Sequence, residues 1–114
     1  MTKPSERQKK RYIVFKITAT NAFKFRSVKE AFMQSTYRYI GEFGVEKAKI
    51  YIIENQYKNN IGILRVTNRS LEEFKKVIDK ISEIDKIKAK IDIIGISGIL
   101  KKARYKFLNK NEVM

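Results

Sequence analysis

The chain has 114 residues, 43% of them apolar, enough for one globular domain with one modest core. It has no cysteine and no histidine, which excludes disulfides and thiolate metal sites and removes the commonest general base and transition-metal ligand. Its net charge of +14 points to a polyanionic partner, while the bland alternative is a Lys- and Ile-rich composition that only aids solubility.

Residues 1–10, "MTKPSERQKK", are polar, hold the only proline and read as a basic flexible arm. In "RYIVFKITA" (11–19), Ile13, Phe15 and Ile17 alternate with Tyr12, Val14, Lys16 and Thr18, the pattern of a strand. A helix is expected over 27–44. Ser27 and Glu30 have capping-box spacing, and Val28, Ala31, Phe32, Ser35, Tyr39 and Phe43 form its core stripe. Gly41 and Gly44 are placed to end it. Met33, Tyr37 and Ile40 make a second apolar stripe beside the first, which marks them as candidates for a protein partner.

A second strand is expected over 45–55, a hairpin loop at "QYKNN" and a third strand over 61–67. Ser70 and Glu73 repeat the capping-box spacing, and Leu71, Phe74, Val77, Ile78 and Ile81 predict a helix over 70–84. Residues 86–97 alternate as a fourth strand. A last helix is expected over 98–109, with Ser97 as its cap. The order β-α-β-β-α-β-α predicts an α+β fold: a ferredoxin-like or RRM-like sandwich with an extra C-terminal helix. The single domain spans 11–110 and a short tail spans 111–114.

On the terminal helix, Ile99, Leu100, Ala103 and Phe107 fall within about a 100° arc. Lys101, Lys102, Arg104, Tyr105 and Lys106 fill the rest, so one side packs and the other is cationic. Ser97 and Gly98 would leave N–H groups at its start for a phosphate. A solvated Lys-rich face is the alternative. Between residues 70 and 92 the charges cancel. Lys75, Lys76, Lys80, Lys86, Lys88 and Lys90 match Glu72, Glu73, Asp79, Glu83, Asp85 and Asp92, so the whole surplus lies elsewhere. The third strand, "IGILRVT", lacks the aromatics with which RNA-recognition motifs stack bases, leaving Tyr12 and Tyr51 as solitary candidates. There is no glycine-rich phosphate loop, no G-x-S-x-G and no metal-ligand spacing. No apolar run is long enough to span a membrane, and none reads as a secretion signal, so a cytoplasmic protein is expected.

Four segments, "KKRYIVF" (9–15), "IGEFGVEKAKIY" (40–51), "GILR" (62–65) and "GISGILKKARYKFL" (95–108), together resemble the protein component 2 family of archaeal ribonuclease P, over nearly the whole chain. The positions that carry the resemblance are Lys9, Lys10, Arg11, Tyr12, Gly41, Glu42, Gly44, Arg65, Ser97, Gly98, Lys101, Lys102 and Lys106. The resemblance implies a subunit of the ribonucleoprotein that removes the 5′ leader of precursor tRNA. In that family the RNA subunit performs the hydrolysis with Mg²⁺, and the protein supports the RNA's catalytic domain. It also implies pairing with a TIM-barrel-like protein component 3, two copies of each. No catalytic residue and no cofactor are expected in this chain. The RNA-binding set is then Lys9, Lys10, Arg11, Tyr12, Arg65, Ser97, Gly98, Lys101, Lys102, Arg104, Tyr105 and Lys106. Two other readings stand beside it: a ferredoxin-like module that binds protein or a small anion, and a self-sufficient metal-dependent nuclease.

Overall fold

A computed structural model of the protein describes residues 9–105. The outer arm, Lys106, Phe107 and the 111–114 tail lie outside the described residues. The elements are β1 (Lys10–Ala19), α1 (Phe25–Ala48), β2 (Tyr51–Ile52), β3 (Ile61–Thr67), α2 (Leu71–Lys80), β4 (Glu83–Ile84), β5 (Ile87–Ser97) and α3 (Leu100–Ala103). The sheet order is β2-β3-β1-β5-β4, antiparallel throughout. Without the short β4 edge, this is the ferredoxin-like order expected from the sequence.

The alternation in β1 decides the layers. Ile13, Phe15 and Ile17 are buried in the main core with Leu64 and Val66 of β3, Ile91 of β5, and Val28, Phe32, Phe74, Val77 and Ile78 of the two long helices. Phe32 stands edge-on to Phe15, ring centroids 5.0 Å apart, and stacks near Phe74 at 6.2 Å. One aromatic cluster thereby joins β1, α1 and α2. Val14 and Ile63 point the other way and are covered by Ala103 and Leu100 of α3. The terminal helix therefore lies over part of the face that α1 and α2 leave open.

Two hairpins close with residues of positive φ at both central positions. Asn59 (48°) and Asn60 (68°) join the Lys58–Ile61 bridge, and Asp85 (53°) and Lys86 (65°) join β4 to β5. These are the signs of primed turns that match strand twist. The Asp85–Lys86 turn falls where the sequence pattern runs helix directly into strand. Asn60 also ties down the β1–α1 connection: its side-chain oxygen accepts the Phe23 N–H at 2.8 Å and its amide donates to the Asn21 carbonyl at 2.8 Å. The Tyr57 hydroxyl donates to the Phe23 carbonyl at 2.6 Å. Burial raises the Tyr57 pKa above its ordinary value of about 10.

The sign for stability comes from the neutral form being favoured in the fold. Below the unfolded pKa the contribution is complete; it is lost as pH rises from there through the folded value. The wild type should therefore lose stability above pH ~10 more steeply than Tyr57→Phe. Denaturant midpoints of the two proteins measured between neutral and alkaline pH check this, and parallel curves would contradict it.

Several local expectations are corrected. The first helix begins at Phe25 after Lys24, with no side-chain cap. Ser27 lies inside its first turn, and Glu30 pairs instead with Arg26 at 3.4 Å. Gly41 interrupts this helix (φ 70°, ψ −178°), a conformation open essentially to glycine alone. Neither glycine is its final cap: the chain resumes a helical path to Ala48 and ends at Lys49, whose left-handed backbone returns its N–H to the Val45 carbonyl at 3.1 Å. Residues 45–48 are thus helical, and the second strand shrinks to Tyr51–Ile52, succeeded by a 3₁₀ turn at Glu54–Gln56. The expected core stripe also ends early: Tyr39, before the break at Gly41, is 45% exposed and Phe43, after it, 89%. Ser70 precedes α2, but its backbone (φ −102°, ψ 4°) ends a 3₁₀ turn and its hydroxyl caps nothing. That helix stops at Lys80 rather than at 84.

Candidate nucleic-acid interface

The face of the sheet opposite α1 and α2 is built by register. Residues directly opposed in antiparallel strands share a face. Tyr51 opposes Arg65, Arg65 opposes Tyr12, and Tyr12 opposes Ser97. The four make one row across the sheet, on the side where Tyr12 packs with Val14 and Ile63. Ser97 joins this row through a bulge. The β1–β5 register shifts between Val14 and Phe15, pairing Val14 with Gly95 but Phe15 with Ile93, so Ile94 is the extra residue. Ile94 packs on the α3 side while Ile93 and Ile96 pack with the main core. Strict alternation from Ile91 would have sent Ser97 into the main core instead.

The same register puts Lys10 and Lys16 of β1, and Lys88 and Lys90 of β5, on the α3 side, opposite the buried Ile17, Ala89 and Ile91. With Arg65 and the exposed Lys101, Lys102 and Arg104 they make eight cations, against Glu83 and Asp92 as the strand acids on that side. The helix layer is nearly balanced: Arg26, Lys29, Arg38, Lys47, Lys75, Lys76 and Lys80 stand among Glu30, Glu42, Glu46, Glu72, Glu73 and Asp79. Two of its pairs close, Arg26 with Glu30 at 3.4 Å and Lys75 with Glu72 at 3.3 Å. On the open side Lys90 approaches Asp92 at 4.0 Å. Among the described residues no ion pair includes Lys101, Lys102 or Arg104.

Each candidate has a definite place. Lys9 is exposed and its carbonyl accepts the Asn68 N–H at 2.7 Å. Lys10 already belongs to β1, so the strand starts one residue earlier than expected. The Arg11 Nε donates to the Asn68 side-chain oxygen at 3.0 Å, and its guanidinium lies against Gly98, where a Cβ would come within 2.5 Å of it. Arg65 rests over the Tyr51 ring, 5.1 Å from its centroid. The Ser97 hydroxyl accepts the Ile99 N–H at 3.1 Å, so that donor is engaged within the chain. The terminal helix therefore begins at Leu100, not at 98, and Ile99 is extended and 53% exposed instead of facing the core. Lys101, Lys102, Arg104 and Tyr105 are exposed, the last at 76%.

The second apolar stripe does not form one exposed patch. Met33 lines a cleft with Phe25, Ile50 and Ile52. Ile40 packs on the main core and over Gly44, where a Cβ would meet its side chain at 2.5 Å. Tyr37 alone projects, 51% exposed. The sequence does not single out Lys16, Lys88 and Lys90 as members of the cationic face, although the alternation of "IKAKID" already sets Lys88 and Lys90 opposite the apolar positions. Among the described residues, no group of three or more carboxylates comes within reach of one metal ion. No helix among them is long and apolar enough to cross a membrane.

The family model described as Rpp14/Pop5 matches residues 11–108. The chain belongs to the Rpp14/Pop5 family. Relatives named ribonuclease P protein component 2 agree over most of its length. The Pyrococcus furiosus protein is 35% identical over 107 residues, spanning 94% of this chain and 89% of that one. The Methanococcus aeolicus protein is 36% identical over 105 residues, spanning 92% and 76%. A chain in the cryo-EM structure of yeast ribonuclease MRP shares the fold, with a TM-score of 0.68 at 16% identity and coverage of 93% and 90%. The expected family and the ferredoxin-like architecture are both borne out.

Proposed function

We propose that this Rpp14/Pop5 chain is the component 2 protein subunit of ribonuclease P, the endoribonuclease complex that removes the 5′ leader of precursor tRNA. The observation that carries the reading is the division of charge between the two sides of the sheet. The helices α1 and α2 are near neutrality, whereas the α3 side gathers Lys10, Lys16, Arg65, Lys88, Lys90, Lys101, Lys102 and Arg104. Such a surface neutralises phosphates and positions a folded RNA without reading its sequence.

In this proposal the chain contributes no catalytic group: the RNA subunit, with its Mg²⁺, cleaves the phosphodiester. The protein works in the cytoplasm beside a barrel-type component 3, two copies of each. The projecting Tyr37 and Phe43 on α1 supply apolar surface for a protein contact there. Direct binding tests the reading. The full chain should form a saturable complex with an archaeal ribonuclease P RNA at physiological salt. Elution free of that RNA even at low salt would contradict it and favour the protein- or anion-binding module.

A further inference from the structure

The centre of the open sheet face is closed, because Leu100 and Ala103 cover Val14 and Ile63. Its β2 margin is not. Tyr51 lies on the outermost strand at that side and is 53% exposed. The Arg65 guanidinium sits 5.1 Å over its ring, and Tyr12 flanks Arg65 from the other strand. The Arg65 Nε is buried yet has no hydrogen-bond partner among the described residues. A buried donor left unpaired is costly, and groups of this kind need a reason. A planar cation held over one exposed ring, with a second aromatic residue beside it in the row, is what an unpaired base requires: a surface to stack on, and donors for its acceptor atoms or phosphate. A continuous duplex keeps its base faces stacked and offers nothing to such a row.

We propose that Tyr51, Arg65 and Tyr12 form a binding site for a single unpaired ribonucleotide, its base stacked on Tyr51 and one of its acceptor atoms taken by Arg65. The inference rests on the RNA-binding reading above and deepens it. It restores base stacking to a sheet whose third strand carries an arginine where RNA-recognition motifs carry aromatics. The aromatics come from the strands on either side.

The test titrates the full chain against a short single-stranded RNA containing one 2-aminopurine, and against a duplex of the same length. The wild type should quench the fluorescent base on binding the single strand. Tyr51→Phe should keep the quench. Tyr51→Leu should abolish it and weaken single-strand binding by roughly tenfold, the range of one base–aromatic stack, with duplex binding unchanged. Arg65→Lys, which keeps the charge but loses the planar fork, should weaken single-strand binding selectively as a second, independent variant. Unchanged quenching and affinity in Tyr51→Leu would overturn the site while leaving the cationic-face reading intact. A wild type that binds neither RNA would overturn both. Folded ribonuclease P RNA and a precursor tRNA, each added as competitor, distinguish the source of the nucleotide, and displacement by neither would also overturn the site.

Discussion

Replacing Lys101, Lys102 and Arg104 together with glutamine should lower the log–log slope of RNA affinity against salt by about 2, the loss expected when three phosphate contacts go. The expectation comes from position. All three side chains are exposed on α3, whose Leu100 and Ala103 fasten it to the open face beside Lys10, Lys16 and Lys90. The comparison that gives the result meaning is Lys75, Lys76 and Lys80 replaced in the same way. These lie on α2, among Glu72, Glu73 and Asp79 and on the other side of the sheet. Equal charge is removed, yet the slope should barely move. Filter binding or anisotropy over a salt series reads both. Equal slopes for the two variants would mean that net charge alone, not its placement, governs RNA binding.

Phe32→Ala is the substitution expected to cost most in stability. Phe32 is fully buried, meets Phe15 at 5.0 Å and Phe74 at 6.2 Å, and so joins three elements at one point. Truncation leaves a cavity between two helices and the central strand, at a cost of about 4 kcal/mol. For a domain of this size that lowers the melting temperature by roughly 15–30 °C. Phe43→Ala removes the same ring from a position 89% exposed and should stay within about 0.5 kcal/mol of the wild type. Thermal melts of the two variants side by side check the claim. A drop under about 5 °C in Phe32→Ala would contradict the account of the core.

The layers were legible because the alternation of Ile13, Phe15 and Ile17, and the helical spacing of Phe74, Val77, Ile78 and Ile81, leave few ways to bury all of them. The hidden features turn on single backbone positions. A glycine at 41 can end a helix or break it, and only the packing of Ala48 and Ile40 on the core decides that the chain turns helical again. The bulge at Ile94 exchanges the faces of everything after it, and its one sign in "IDIIGIS" is Gly95 beside it, a residue that permits a bulge without requiring one. Ser27 and Ser70 have capping-box spacing, but the helix is entered at Lys24 in one case and through a 3₁₀ turn in the other.

The candidate site was half legible for a similar reason. The terminal cations stood out as a run. Those of β5 did not, because residues 70–92 balance in sequence, and Lys88 and Lys90 join the cationic face only through strand pairing, which sets them beside the cations of β1 together with Glu83 and Asp92. The Tyr51–Arg65–Tyr12 row is equally invisible in one dimension, since its members are joined only by strand pairing.

The measurement that bears most directly on the central claim is cleavage of a precursor tRNA by an archaeal ribonuclease P RNA at low Mg²⁺, with and without this protein and a component 3 partner. The account predicts accurate 5′ maturation only when the protein pair is present, and markedly less when Lys101, Lys102 and Arg104 are replaced. Cleavage that is the same with and without the pair, at every Mg²⁺ concentration, would contradict it.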